Sequence, residues 1–129
     1  TMSYYNSKIV NYTFEEAISK LLEELTKEGF GVLTQIDVQE TLKKKLNVDF
    51  RRYKIFGACN PPLAYKALSK EENIGVLLPC NIIVQEKESG EVQVSTVNPM
   101  ESMQAVGNRE LEEVANEVSA KLKRVLESL

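Results

Sequence analysis

Hydrophobic residues recur at helical spacing in four parts of the chain. The clearest pattern runs from Thr13 to Phe30, where Thr13 and Glu16 have the spacing of a capping box. Gly29 stands where a helix commonly ends, and Phe30 can fold back as its hydrophobic contact. The other segments in which this spacing predicts helices are 38–47, 61–73 and 108–129.

Segments rich in β-branched and aromatic residues alternate with these helices. They predict strands within 4–12, 30–37, 51–59, 81–87 and 91–97. Gly90 supplies the positive φ that a tight turn between the last two strands needs. The predicted order is β-α-β-α-β-α-β-β-α. It indicates one α+β domain spanning residues 1–129, a mostly antiparallel sheet with helices packed on one face.

Composition excludes several classes of partner. The chain has 129 residues and a net charge of −3, without a basic stripe, so nucleic acid is not expected to bind. No apolar run is long enough to span a bilayer, and the first residues do not resemble a signal peptide, so we expect a cytoplasmic protein without membrane contact. A composition rich in Glu and Lys that lacks His and Trp would suit a thermophile.

The absence of histidine limits the possible chemistry. It removes Ser-His-Asp and Cys-His catalysis and every zinc site that mixes Cys with His. Two cysteines cannot provide a four-thiolate metal site or an iron–sulfur cluster from one chain. The sequence therefore predicts no metal and no cofactor. It identifies no catalytic residue and leaves open whether the protein is an enzyme.

The two cysteines are the main candidates for a functional site. Cys59 directly precedes the predicted third helix, so the helix dipole would favour its thiolate. The alternative is a buried structural cysteine, a common place for a free thiol. Cys80 follows Pro79, which predicts a break or bulge before the next strand. A redox or sulfur-relay role would require the two thiols to face each other across a pocket.

Four other residues are candidates for ligand contacts. Asn60 and Asn81 could hydrogen-bond a ligand, but a helix cap is the favoured explanation for Asn60, and a turn is the alternative for Asn81. Asp37 could act as a general base or as the N-cap of the second helix. Met103 could line an apolar pocket or fill the core.

Four segments together resemble the DUF302 family, a domain of unknown function. They are "GFGVLTQIDVQETLKKKL", "YKIFGACNPPLAYKAL", "IGVLLPCNIIVQE" and "VSTVNPMESM". The resemblance implies a compact α+β domain, usually a homodimer, with no firmly assigned activity. The positions that match the motifs of the family are Asp37, Cys59, Asn60, Pro61, Ala64, Leu68, Pro79, Cys80, Asn81, Pro99 and Met103.

Three functional hypotheses follow. The first is a homodimeric protein that binds a small ligand near Cys59 and Cys80. The second is a thiol-dependent redox or sulfur-transfer protein that uses Cys59 as the reactive thiolate and Cys80 as its partner. The third is a structural or interaction module with inert, buried cysteines.

Overall fold

A single five-stranded antiparallel sheet organises the protein in the computed structural model, which describes residues 3–129. The strands lie side by side in the order β1-β5-β4-β3-β2, and every neighbouring pair is antiparallel. Because β1 and β2 lie at opposite edges, the helix between them must cross the sheet. The strands are β1 (Tyr5–Val10), β2 (Gly31–Asp37), β3 (Tyr53–Cys59), β4 (Cys80–Glu86) and β5 (Val92–Val97).

The described residues form helices in each segment where helical spacing predicts one, together with one further short helix. The helices are α1 (Phe14–Lys27), α2 (Val38–Leu46), α3 (Pro61–Lys70), α4 (Pro99–Ser102) and α5 (Glu112–Glu127). Pattern reasoning treats the region of α4 as irregular. A helix forms there because the Asn98 side chain accepts a hydrogen bond from the Met100 N–H at 3.1 Å, and Pro99 has a φ suited to the first helical position.

Local signals define both ends of α1. The Thr13 hydroxyl accepts a hydrogen bond from the Glu16 N–H at 3.2 Å, and the Thr13 N–H donates to the Glu16 carboxylate at 2.9 Å. At the other end Gly29 has a φ of +83°, and the Phe30 N–H donates to the Leu25 carbonyl at 2.9 Å. These bonds satisfy backbone groups that a helix end otherwise leaves unpaired.

One face of the sheet carries the hydrophobic core. Helices α1, α3 and α5 each contribute buried residues to it, whereas α2 contributes none. Strands β3, β4 and β5 contribute alternate residues, as the pleat of a strand requires, and β1 contributes Val10. The largest fully buried side chains of the core are Phe14, Leu21, Leu25, Phe56, Ile74, Ile82, Leu111 and Leu122.

The other face of the sheet is partly exposed, and we call it the open face. Its apolar members are Tyr5, Ile9, Ile36, Tyr53, Ile55, Ile83 and Val97. Its polar members between them are Ser7, Thr34, Asn81, Gln85, Gln93 and Ser95. Within residues 3–129, no helix is long and apolar enough to cross a membrane.

Candidate functional site

An apolar pocket of about 310 Å³ lies where β3 ends, β4 begins and helices α3 and α5 approach the sheet. We call it the cysteine pocket, because both cysteines are part of its wall. Its other lining residues are Phe30, Leu33, Ala58, Asn60, Leu63, Ala64, Ala67, Leu68, Gly75, Leu78, Pro79, Pro99, Met103, Val114, Ala115 and Val118. None of these side chains carries a formal charge, so the pocket favours apolar or soft, polarisable groups.

Cys80 is the first residue of β4 and lies directly opposite Ala58 of β3. Its side chain packs against the hydrophobic core. Burial raises the pKa of the Cys80 thiol to about 11, and the charge of nearby Cys59 adds to that increase. Cys80 is therefore a neutral thiol at physiological pH, because an apolar environment disfavours the thiolate.

Cys59 is the last residue of β3 and follows Ala58, the residue that pairs with Cys80. Antiparallel pairing therefore brings the two cysteines to the same corner of the sheet, although 20 residues separate them in the sequence. Cys59 also precedes Asn60, the N-cap of α3. The positive end of that helix dipole therefore begins directly after Cys59 in the sequence.

Asn60 is buried and uses both ends of its amide group within the protein. Its side-chain oxygen accepts a hydrogen bond from the Leu63 N–H at 3.4 Å, and its side-chain nitrogen donates to the Glu28 carbonyl at 3.2 Å. It therefore caps α3 and ties the start of that helix to the end of α1. The arrangement fits the helix-cap interpretation of this residue.

Met103 lines the cysteine pocket, whereas two other candidates lie elsewhere. Asn81 follows Cys80 in β4, so alternation directs it to the open face, where it is exposed. Asp37 accepts a hydrogen bond from the Glu40 N–H at 3.0 Å and caps α2, away from the cysteine pocket. The structure thus brings together Cys59, Asn60, Cys80 and Met103.

Sequence reasoning missed the helical walls of the pocket. Ala64 and Ala67 of α3 and Ala115 of α5 line it, and these small side chains leave space that larger ones would fill. The available signal was the occurrence of alanine on the inward sides of two helices. That signal alone does not distinguish a pocket from close helix packing, because alanine serves both.

The fold and the pocket together define a small α+β domain with a dithiol-lined apolar pocket. The profile of the family described as "Domain of unknown function DUF302" matches residues 6–129. The chain belongs to the DUF302 family, as its motifs predict.

Two similar proteins provide further support for the family and for the fold. An uncharacterized protein of Aquifex aeolicus (strain VF5) is 30% identical over 94 residues, which cover 73% of this chain and 59% of that relative. The chain therefore matches little more than half of that longer protein. The crystal structure of an uncharacterized conserved DUF302 protein from Bacillus stearothermophilus has a TM-score of 0.92 and 29% identity, and the match covers 98% of both chains. These relatives support the family and fold, and their descriptions assign no activity.

Proposed function

We propose that the protein is a homodimer that binds a small apolar ligand in the cysteine pocket. The observation that carries this proposal is the pocket itself, whose volume of about 310 Å³ falls at the lower end of the range for small-molecule sites. Protein interiors are otherwise packed with few voids larger than a water molecule. A pocket lined by aliphatic side chains gains affinity by removing apolar ligand surface from water.

Small apolar molecules should stabilise the metal-free, reduced protein against thermal unfolding. Indole and n-octanol are suitable probes because each combines an apolar body with one polar group. Binding that is selective for the folded state stabilises it by about 2.7 kcal/mol at a probe concentration of 100 times Kd. Differential scanning fluorimetry over a range of probe concentrations measures the shift in Tm.

A pair of leucine variants on α3 provides the control. Ala64 lines the cysteine pocket, so Ala64→Leu should fill it and abolish the Tm shift. Lys66 is exposed and lies outside the pocket, so Lys66→Leu should preserve the shift. The proposal fails if neither probe stabilises the native protein, or if Ala64→Leu and Lys66→Leu respond to the probes equally.

The open face supports the homodimeric part of the proposal. Ile9 and Ile36 are 43% and 48% exposed, and the side chains that this face presents between the two sheet edges are all uncharged. Depletion of charge together with aromatic residues is typical of the centre of a protein–protein interface. Tyr5 and Tyr53 place aromatic rings on this face.

Sedimentation velocity should show the mass of two chains for the native protein. Ile83 lies in the central strand of the open face, so Ile83→Lys should give monomers by placing a charge in the interface. Tyr65, which is 74% exposed on α3, offers the matched control, and Tyr65→Lys should remain dimeric. A monomeric native protein, or a dimeric Ile83→Lys variant, would contradict an interface on the open face.

A thiol-dependent redox or sulfur-transfer role is the second candidate, because both thiols line one pocket. The raised pKa of Cys80 makes that residue a poor attacking thiolate at neutral pH. Cys59 would therefore be the nucleophile and Cys80 the resolving thiol. Rapid alkylation of Cys59 at neutral pH would favour this candidate, whereas equal resistance of both cysteines would favour inert structural thiols.

A further inference from the structure

We propose that Cys59, Cys80 and Met103 bind one soft monovalent metal ion of the Cu(I) class in the cysteine pocket. The pocket contains two thiols and a thioether, and sulfur ligands of these two kinds select Cu(I). This proposal goes beyond binding of an apolar ligand, and it depends on the sulfur atoms rather than on the volume of the pocket.

The fold places the three sulfur-bearing residues in one neighbourhood. Strand pairing brings Cys80 opposite Ala58, the residue before Cys59. Met103 and Cys80 also lie together in a second depression that adjoins the cysteine pocket beside Pro79. The three residues come from β3, β4 and the turn after α4, so only the folded chain assembles them.

The set of donors favours a soft monovalent ion over zinc. Structural zinc sites are almost always four-coordinate, with Cys, His or carboxylate ligands. Across residues 3–129, no group of three or more His, Cys, Asp or Glu side chains could hold a metal ion. Two thiolates and one thioether cannot complete a zinc site, whereas Cu(I) accepts sulfur ligands in smaller numbers.

Charge balance gives the bound site one net negative charge. Binding releases one proton from each thiol to solvent and forms two metal–sulfur bonds, so Cu(I) with two thiolates has a net charge of −1. The N-terminus of α3, directly after Cys59, offsets part of that negative charge.

Anaerobic titration of the reduced protein with Cu(I) tests this proposal. Cu(I) is supplied as its acetonitrile complex in competition with bicinchoninate, whose coloured complex reports the free metal. We expect the protein to remove one Cu(I) per chain from the chelator and to develop ultraviolet thiolate-to-metal charge-transfer absorption. Zn(II) at the same concentration should neither bind nor displace Cu(I).

Substitutions should identify the ligands. Loss of a residue that only orients a metal ligand costs about 10- to 100-fold in metal affinity, so Cys59→Ser and Cys80→Ser, which remove ligands, should each weaken Cu(I) binding by at least about 100-fold. Met103→Leu should weaken binding, whereas Met100→Leu should not, because Met100 lies outside the cysteine pocket. Ag(I) should protect both cysteines of the native protein from alkylation, a measurement that requires no variant.

Three results would overturn the proposal. They are retention of Cu(I) by the chelator, full affinity in the Cys59→Ser and Cys80→Ser variants, and equal effects of Met103→Leu and Met100→Leu. The Cu(I) titration and the apolar-probe measurements are independent experiments on the native chain. Failure of one therefore does not decide the other.

Discussion

Alkylation of the folded, reduced protein at pH 8 should modify Cys80 about 100-fold more slowly than an unfolded cysteine reacts, because only the thiolate attacks. Burial raises the Cys80 pKa from 9.0 to about 11, which lowers the thiolate fraction at pH 8 by that factor. Mass spectrometry of iodoacetamide-treated protein, sampled over time from pH 7 to pH 11, measures the rate at each cysteine. Cys59→Ser removes the competing thiol and leaves Cys80 to be followed alone.

The same pKa shift predicts how stability depends on pH. Since the folded-state pKa lies above the unfolded value, Cys80 contributes its full stabilising effect below about pH 9 and loses it as pH rises towards about 11. A shift of two pKa units corresponds to about 3 kcal/mol. Cys80→Ser lacks the titrating thiol, so the difference between native protein and variant in urea unfolding isolates the effect.

An alkylation rate at Cys80 equal to that of an unfolded cysteine would show that the Cys80 thiol is accessible to solvent. In that case the cysteine pocket would not be an apolar site, and the proposed ligand class would be wrong. Slow alkylation of Cys80 combined with fast alkylation of Cys59 would instead show that the two thiols differ in reactivity. That result would favour the redox or sulfur-transfer alternative.

Replacing Gly57 by alanine should destabilise the fold by about 3 kcal/mol, the upper end of the usual range for overpacking. A Cβ atom at Gly57 would lie 2.2 Å from the Thr34 hydroxyl oxygen and 2.6 Å from Cγ of Pro79. The Thr34 side chain can rotate away, but the ring of Pro79 has little freedom. Urea unfolding of native protein and Gly57→Ala measures the loss.

Gly31 provides a matched control in the neighbouring strand. A Cβ atom there meets nothing within 4 Å, so Gly31→Ala should change stability by less than about 0.5 kcal/mol. Pro79 directly precedes Cys80, so displacement of its ring should also speed alkylation of Cys80 in Gly57→Ala. Equal stability of the Gly57→Ala and Gly31→Ala variants would refute a close approach between Gly57 and Pro79.

Helix ends and turns were largely predictable from the sequence because short-range hydrogen bonds determine them. Thr13 and Glu16 form the capping box that their spacing indicates. Asn60 caps the helix that begins with Pro61, and Gly90 adopts a φ of +91° in the hairpin turn. In each case the partners lie within a few residues, so the sequence contains the whole interaction.

The third helix shows where pattern reasoning failed. The predicted segment runs to residue 73, but α3 ends at Lys70 and a 3₁₀ turn follows at Ile74–Leu77. Ile74 is 1% exposed in the core, so burial of this side chain accompanies the change of direction. Contacts with distant residues are not encoded in the local spacing of apolar positions.

The sequence by itself determined the family, the α+β class and the order of all the elements except the short α4, and it offered the two Cys-Asn motifs as candidates. Only the tertiary structure decided which candidates share a site. Strand pairing brings Cys80 beside the end of β3, whereas alternation places Asn81 on the opposite face. The turn after α4 then adds Met103 to the same pocket. These associations depend on strand register and on helix packing over long sequence separations, which no local pattern of residues specifies.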